Sequence, residues 1–127
     1  MENRLFGFLL DEGIQLDIAN KRIMRYQAET PESAMYLRIV TLSDIQLRLL
    51  LLLLTNKPGD VILKNDIMMN MLSEDGKELL SSNQKLWYLM KVLRKKLSSI
   101  GMEEGFISNA YGVGYFVNAH NVSPIFI

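Results

Sequence analysis

At 127 residues, with 49% apolar side chains, the chain has the size of a single domain and enough apolar surface to build a real core, which excludes a disordered polypeptide. It has no cysteine, which excludes a disulfide framework and a thiolate metal site and agrees with a reducing cytoplasm. Fourteen basic and fourteen acidic residues cancel, so the chain is not a uniformly basic nucleic-acid binder, and any positive face must come from how the charge is placed.

The opening stretch MENRLFGFLLDEG is interrupted by Gly7 and closed by Asp11 and Glu12, which is not the pattern of a signal peptide. Residues Arg4 to Leu10, Ile14 to Ile18 and Arg22 to Tyr26 read as short strands, punctuated by Asp11-Glu12-Gly13 and Asn20-Lys21. Gln27 to Ser33, with Pro31, reads as a loop and Tyr36 to Val40 as a further strand, giving an antiparallel N-terminal sheet of three or four strands.

Ser43-Asp44-Ile45-Gln46 is a capping box that starts a helix running to about Asn56, where Pro58 and Gly59 stop it. Leucine occupies every position from 49 to 54, so this helix is apolar all round and is expected to be buried between the sheet and other helices. A sharper reading makes its surplus leucines a dimer face. Six leucines fall far below the ~20 apolar residues that span a bilayer. Val61 and Ile62 follow, then a short helix from Lys64 to Leu72 with Ile67, Met68, Met71 and Leu72 as its apolar positions. Leu63 stands where a capping Ser or Thr would be useful, a loss of ~1 kcal/mol at that helix start. A loop over 73–82 leads to a third helix from about Ser82 or Asn83 to Ser98, with Gly101 just beyond it. Phe106 to Val117 reads as a hairpin whose tip holds Gly112 and Gly114.

The third helix is the informative element. Leu86, Met90, Leu93 and Leu97 are spaced four, three and four apart and fall on one stripe. The opposite face holds Gln84, Lys85, Tyr88, Lys91, Val92, Lys95 and Lys96. Residues 82–97 contain five basic residues and no acid, leaving nine basic against fourteen acidic residues elsewhere. Such a helix suits the major groove, where side chains reach base edges and lysines meet phosphate. The plainer alternative is an amphipathic surface helix with solvated lysines.

Two connected helices, a basic amphipathic helix and a Gly-rich hairpin follow the order of a winged helix-turn-helix. The stretches Leu42 to Leu47, Lys57 to Ile62, Leu93-Arg94-Lys95-Lys96-Leu97 and Ile107 to Tyr115 carry a resemblance to the OmpR/PhoB-type winged-helix DNA-binding domain. The chain looks closest to its ToxR- and CadC-like bacterial transcriptional regulators, over about Phe8 to Val117. The resemblance implies an α+β fold: a four-stranded N-terminal antiparallel sheet, three helices and a C-terminal β-hairpin wing, as one domain over 1–118 with 119–127 as a tail or the start of a linker. It implies a sequence-specific regulator that binds double-stranded promoter DNA, with helix 82–98 in the major groove and the wing, 106–117, on the flanking backbone. By position, Gln84, Trp87, Tyr88, Lys91 and Val92 fall where relatives touch DNA, Arg94 where a backbone contact is usual, and Asn109 and Tyr111 on the wing. Lys85 and Lys95 are added from the helix geometry.

The chain departs from its relatives at Asn109, Tyr111 and Phe116, where Thr, Arg and Arg are common, and at Val92, where Arg is common. The wing has lost its cations, so binding is expected to rest on copies paired on tandem half-sites. The 73–82 loop is a candidate contact with RNA polymerase. Met1 begins directly at the first strand, so no receiver domain is expected before it. The ToxR/CadC-like arrangement implies a cytoplasmic domain tethered to the inner membrane by a later segment; a stand-alone regulator is the other option.

Nothing in the sequence supports catalysis, a cofactor or a metal. His120 stands near the chain end without an acid or nucleophile pattern, Glu103-Glu104 reads as a solvated turn, and Gly112-x-Gly114 lacks the strand-then-helix setting of a phosphate loop. The rival function is a winged helix that binds protein instead of DNA, suggested by the neutral charge, Trp87, Val92, Tyr111 and the leucines.

Overall fold

A computed structural model describes residues 4–28, 35–71 and 83–127. Strands β1 (Leu5–Leu10), β2 (Ile14–Asp17), β3 (Arg22–Ala28) and β4 (Met35–Thr41) form an antiparallel meander, and a single 3-10 turn, Asp11–Gly13, joins the first two. Helices α1 (Asp44–Leu54), α2 (Lys64–Asn70) and α3 (Asn83–Ser99) follow, with the two-residue strand β5 (Ile62–Leu63) before α2. The chain then makes the hairpin β6 (Ile107–Ala110) and β7 (Gly114–Val117). Pairing of β5 with β7 turns it into a three-stranded sheet ordered β5-β7-β6.

Residues 119–127, expected to be a tail or linker, hold a further strand, β8 (Ser123–Phe126), which pairs antiparallel with β1. The N-terminal sheet therefore has five strands in the order β4-β3-β2-β1-β8. The Asp11 carboxylate holds the chain as it returns, accepting from the backbone N–H groups of His120 at 2.9 Å and Asn121 at 2.6 Å. Pro124, which has no N–H, is tolerated because β8 lies at the sheet edge.

Strand alternation sends Phe8, Leu10, Ile14, Leu16 and Ile23 inward, where all are buried. Leu9, Tyr26, Leu37 and Ile39 lie on the opposite face and are exposed. Asp17 also lies on that side but is buried, because Asn20 and Arg22 close over it. The hydrogen bonds from the Asn20 side chain, then those from its backbone and from Arg22, outweigh the opposing effect of desolvation and hold the Asp17 carboxyl below the usual range. Its stabilising contribution is therefore present above the ordinary aspartate pKa and lost as pH falls through the lower, folded value.

The capping box of α1 forms in full: the Gln46 N–H donates to Ser43 Oγ, and the Ser43 N–H donates to Gln46 Oε1 at 2.9 Å. Leu47, Leu49, Leu50, Leu53 and Leu54 are buried, and Leu51 and Leu52 pack partly buried against the same core. Most of the leucine block is taken up by the core, and only Leu51 and Leu52 keep part of their surface open to a partner. The helix packs against α2, α3 and β7, which cover most of its apolar circumference. It ends at Leu54, two residues before Asn56, with Thr55 as its cap. At the start of α2 the cap residue Leu63 makes no side-chain capping bond. Among the described residues, no helix is long and apolar enough to cross a membrane, and no group of three or more His, Asp or Glu side chains gathers to hold a metal.

Candidate nucleic-acid interface

Helix α3 is anchored by its apolar stripe. Leu86, Met90, Leu93 and Leu97 are at most 2% exposed, and Leu89 joins them in the core. At ~1.5–3 kcal/mol for each fully buried side chain, this stripe fixes which face of α3 is left to solvent.

The helix is also held at its end. Gly101 has φ +91°, its N–H donates to the Ser98 carbonyl and the Met102 N–H donates to the Leu97 carbonyl, a Schellman motif closed by the buried pair Leu97 and Met102. From β3, Arg25 Nη1 donates to the last carbonyls, Ile100 at 3.3 Å and Gly101 at 3.2 Å. Lys96 was placed by sequence on the polar face, but it turns toward the protein. Its Nζ donates to the Thr41 carbonyl at 2.9 Å and to Gln46 Oε1 at 2.7 Å, so one oxygen both caps α1 and fastens it to α3. This ammonium is removed from the solvent face because Lys96 adjoins the buried Leu97 and its stem reaches across to the start of α1.

The remaining side chains expected at the interface divide into two groups. Gln84, Lys85, Trp87, Tyr88, Lys91 and Lys95 are exposed along one side of α3. Lys91 Nζ sits 5.2 Å from the centre of the Trp87 ring, one helical turn away, which orients both side chains by a cation–π contact. Val92 is half-buried. Arg94 is also half-buried and points to the hairpin: Nε donates to the Ile107 carbonyl at 3.1 Å, Nη2 donates to Asn109 Oδ1, and the guanidinium carbon lies 5.8 Å from the centre of the buried Tyr115 ring.

At the hairpin tip Tyr111 is 93% exposed. Its two glycines act differently. Gly112 has φ +72° and open space around it, so it serves the turn alone. Gly114 serves close approach, but to the chain's own β5: a Cβ there would lie 1.9 Å from the Ile62 carbonyl oxygen.

Trp87 from α3, Asn109 and Tyr111 from the hairpin, and Lys64 from the start of α2 line one shallow cleft. Lys64 was missed by sequence reasoning, because as the first residue of α2 it carried no periodicity that linked it to the hairpin. The pairing of β5 with β7 brings it there. Beside Lys91 and Lys95, a second depression is lined by Glu103 and Glu104, so the expected solvated turn lies next to the cationic helix. The 73–82 loop, named for RNA polymerase, lies outside the described residues.

A helix pair followed by an amphipathic helix and a three-stranded hairpin sheet is a winged helix-turn-helix, with α3 in the place of the recognition helix and β6–β7 as the wing. The model of the family described as "Transcriptional regulatory protein, C terminal" matches residues 38–117, from within β4 to the end of the wing. The chain belongs to that family, the OmpR/PhoB-type winged-helix domains, and is a DNA-binding transcription-regulator domain. Among solved structures, the C-terminal domain of the nisin resistance regulator NsrR, a lantibiotic response regulator, superposes with a TM-score of 0.62 at 24% identity, covering 89% of this chain and 99% of that one; this likeness shows the fold. No curated protein matches the chain.

Proposed function

We propose that α3 enters the major groove of promoter DNA, with Gln84, Tyr88 and Val92 toward base edges and Lys85, Lys91 and Lys95 toward phosphates, while the wing tip at Tyr111 rests on the flanking backbone. The carrying observation is the shared cleft: Trp87 of α3 and Asn109 and Tyr111 of the wing line one concave surface, so helix and wing face the same side of the molecule. Gln suits adenine, and an apolar or aromatic edge suits the thymine methyl group. With an uncharged wing, a single copy neutralises few phosphates, and two copies on half-sites roughly one helical turn apart supply the rest.

The test is a fluorescence anisotropy titration against a selected duplex at several salt concentrations. Lys91→Ala and Lys95→Ala are expected to weaken binding and each to lower the slope of log K against log salt by about 0.9, while the melting temperature holds. Wild-type affinity from both variants would remove α3 from the interface. A weak salt dependence of the wild type would instead favour a protein partner.

A further inference from the structure

We propose that Arg94 is a positioning residue that fastens the wing to the recognition helix, and that its Nε and Nη2 serve this fastening and not a DNA phosphate. The proposal rests on the reading above, in which helix and wing approach one duplex together, but its chemistry lies within the chain. Two nitrogens of the guanidinium are engaged by the wing, and its charge lies near a wing ring. Along its edge, Nε donates to the Ile107 carbonyl at the first residue of β6 and Nη2 donates to the Asn109 side chain. The guanidinium's central carbon lies 5.8 Å from the centre of the buried ring of Tyr115 in β7, within cation–π range. A rigid planar fork suits these simultaneous contacts, and an ammonium at the same place cannot reproduce them. Turning Nε or Nη2 to a phosphate would break the hydrogen bond to Ile107 or to Asn109.

The wing needs such a fastening. Residues 106–117 contain no charged side chain, so the wing has no long-range attraction of its own to a phosphate backbone. Strand β7 is held on one side by two residue pairs with β5, Ile62 with Tyr115 and Leu63 with Gly114. Arg94 reaches β6 from the other side and ties it to α3. Lys91 and Lys95 of the same helix make the contrast: both are exposed, whereas Arg94 is half-buried and hydrogen-bonded to β6. The polar side chain at 109 thereby gains a purpose, as the acceptor that receives Arg94.

Trp87, the sole tryptophan, lines the cleft with Asn109 and Tyr111, so its emission and its quenching by acrylamide report how the wing is seated without any DNA present. The full 127-residue chain would be compared as wild type, Arg94→Lys, Arg94→Gln, Asn109→Ala and the Arg94→Lys/Asn109→Ala pair, with folding followed by far-UV circular dichroism. Arg94→Lys keeps the charge, yet is expected to weaken binding to the selected duplex roughly tenfold, leave the salt slope unchanged and raise Trp87 quenching in the free protein. Asn109→Ala should act in the same direction and add little once position 94 is Lys. The proposal is overturned if Arg94→Lys binds like wild type while Arg94→Gln lowers the slope by about 0.9, with Trp87 quenching unchanged in both. Should the variants at 94 fail to fold, the exposed Asn109→Ala carries the test: unchanged quenching and binding would overturn the proposal. Should the wild type bind no duplex at all, the DNA reading fails, and the quenching series still decides the fastening.

Discussion

Helix α3 and the wing lie side by side and are built from opposite chemistry. The helix has a buried leucine–methionine stripe on one side and Lys85, Lys91 and Lys95 on the other; the wing has a buried Tyr115, an exposed Tyr111 and no charge over 106–117. The helix is fixed by burial, by a Schellman end, by Arg25 from β3 and by its own Lys96 reaching to Thr41 and Gln46. The wing is fixed by β5 on one strand and by Arg94 on the other. Under the proposed mode of binding, attraction to a polyanion and its salt dependence are expected from the helix, and shape and apolar contact from the wing. Neutral net charge is compatible with DNA binding here because the cations are concentrated on one element.

The most disruptive way to break this division is in the core on which α3 rests. Leu93 is fully buried under α3, and Leu93→Ala is expected to destabilise the whole domain by about 2–5 kcal/mol in a urea or thermal melt. At temperatures where the variant is still folded, the salt slope of its DNA binding should equal that of the wild type, since no cation is lost. A changed slope would show that the buried stripe also sets the pose of the lysines.

A smaller perturbation separates the two wing glycines. In Gly114→Ala the new methyl group meets the backbone of β5, so the β5–β7 pairing must open and the wing loses its seat. In Gly112→Ala the surroundings are open and only the positive φ is penalised, by about 1–2 kcal/mol at one residue. Gly114→Ala should therefore lower both the melting temperature and DNA affinity more than Gly112→Ala. Equal effects would mean that β5 does not support the wing.

The parts of this arrangement that were legible in the sequence are those that rest on local patterns. Ser43 and Gln46 announce the start of α1, the spacing of Leu86, Met90, Leu93 and Leu97 announces the buried side of α3, and Gly112 and Gly114 mark the hairpin. What stayed hidden depends on distant partners. The segment Ser123–Phe126 contains a proline and too few residues for a period, and it becomes a strand only because β1 offers an edge. A helical wheel places Lys96 with the other lysines, whereas the carbonyl of Thr41 and the side chain of Gln46, some fifty residues away, draw it inward. Arg94 matched a position associated with DNA, and its engagement with Ile107 and Asn109 exists only once the wing has folded against α3. A candidate set of residues was therefore legible, while the division between those that face outward and those that hold the frame required the packing.

The finest test reverses the chemistry of the wing without disturbing its frame. Tyr111 is 93% exposed at the tip, so Tyr111→Arg removes little packing and places a cation where the wing now has none. If the tip lies within reach of a phosphate, the substitution should add about 0.9 to the salt slope and tighten binding a few-fold at low salt, with the gain fading as salt rises. The melting temperature should hold, because an exposed substitution away from packed or strained positions changes stability little. Unchanged affinity and slope would place the tip away from the backbone and confine DNA contact to α3. Weaker binding would mean that the tyrosine ring itself contributes more than a charge can replace, which would make the wing's apolar surface a contact in its own right.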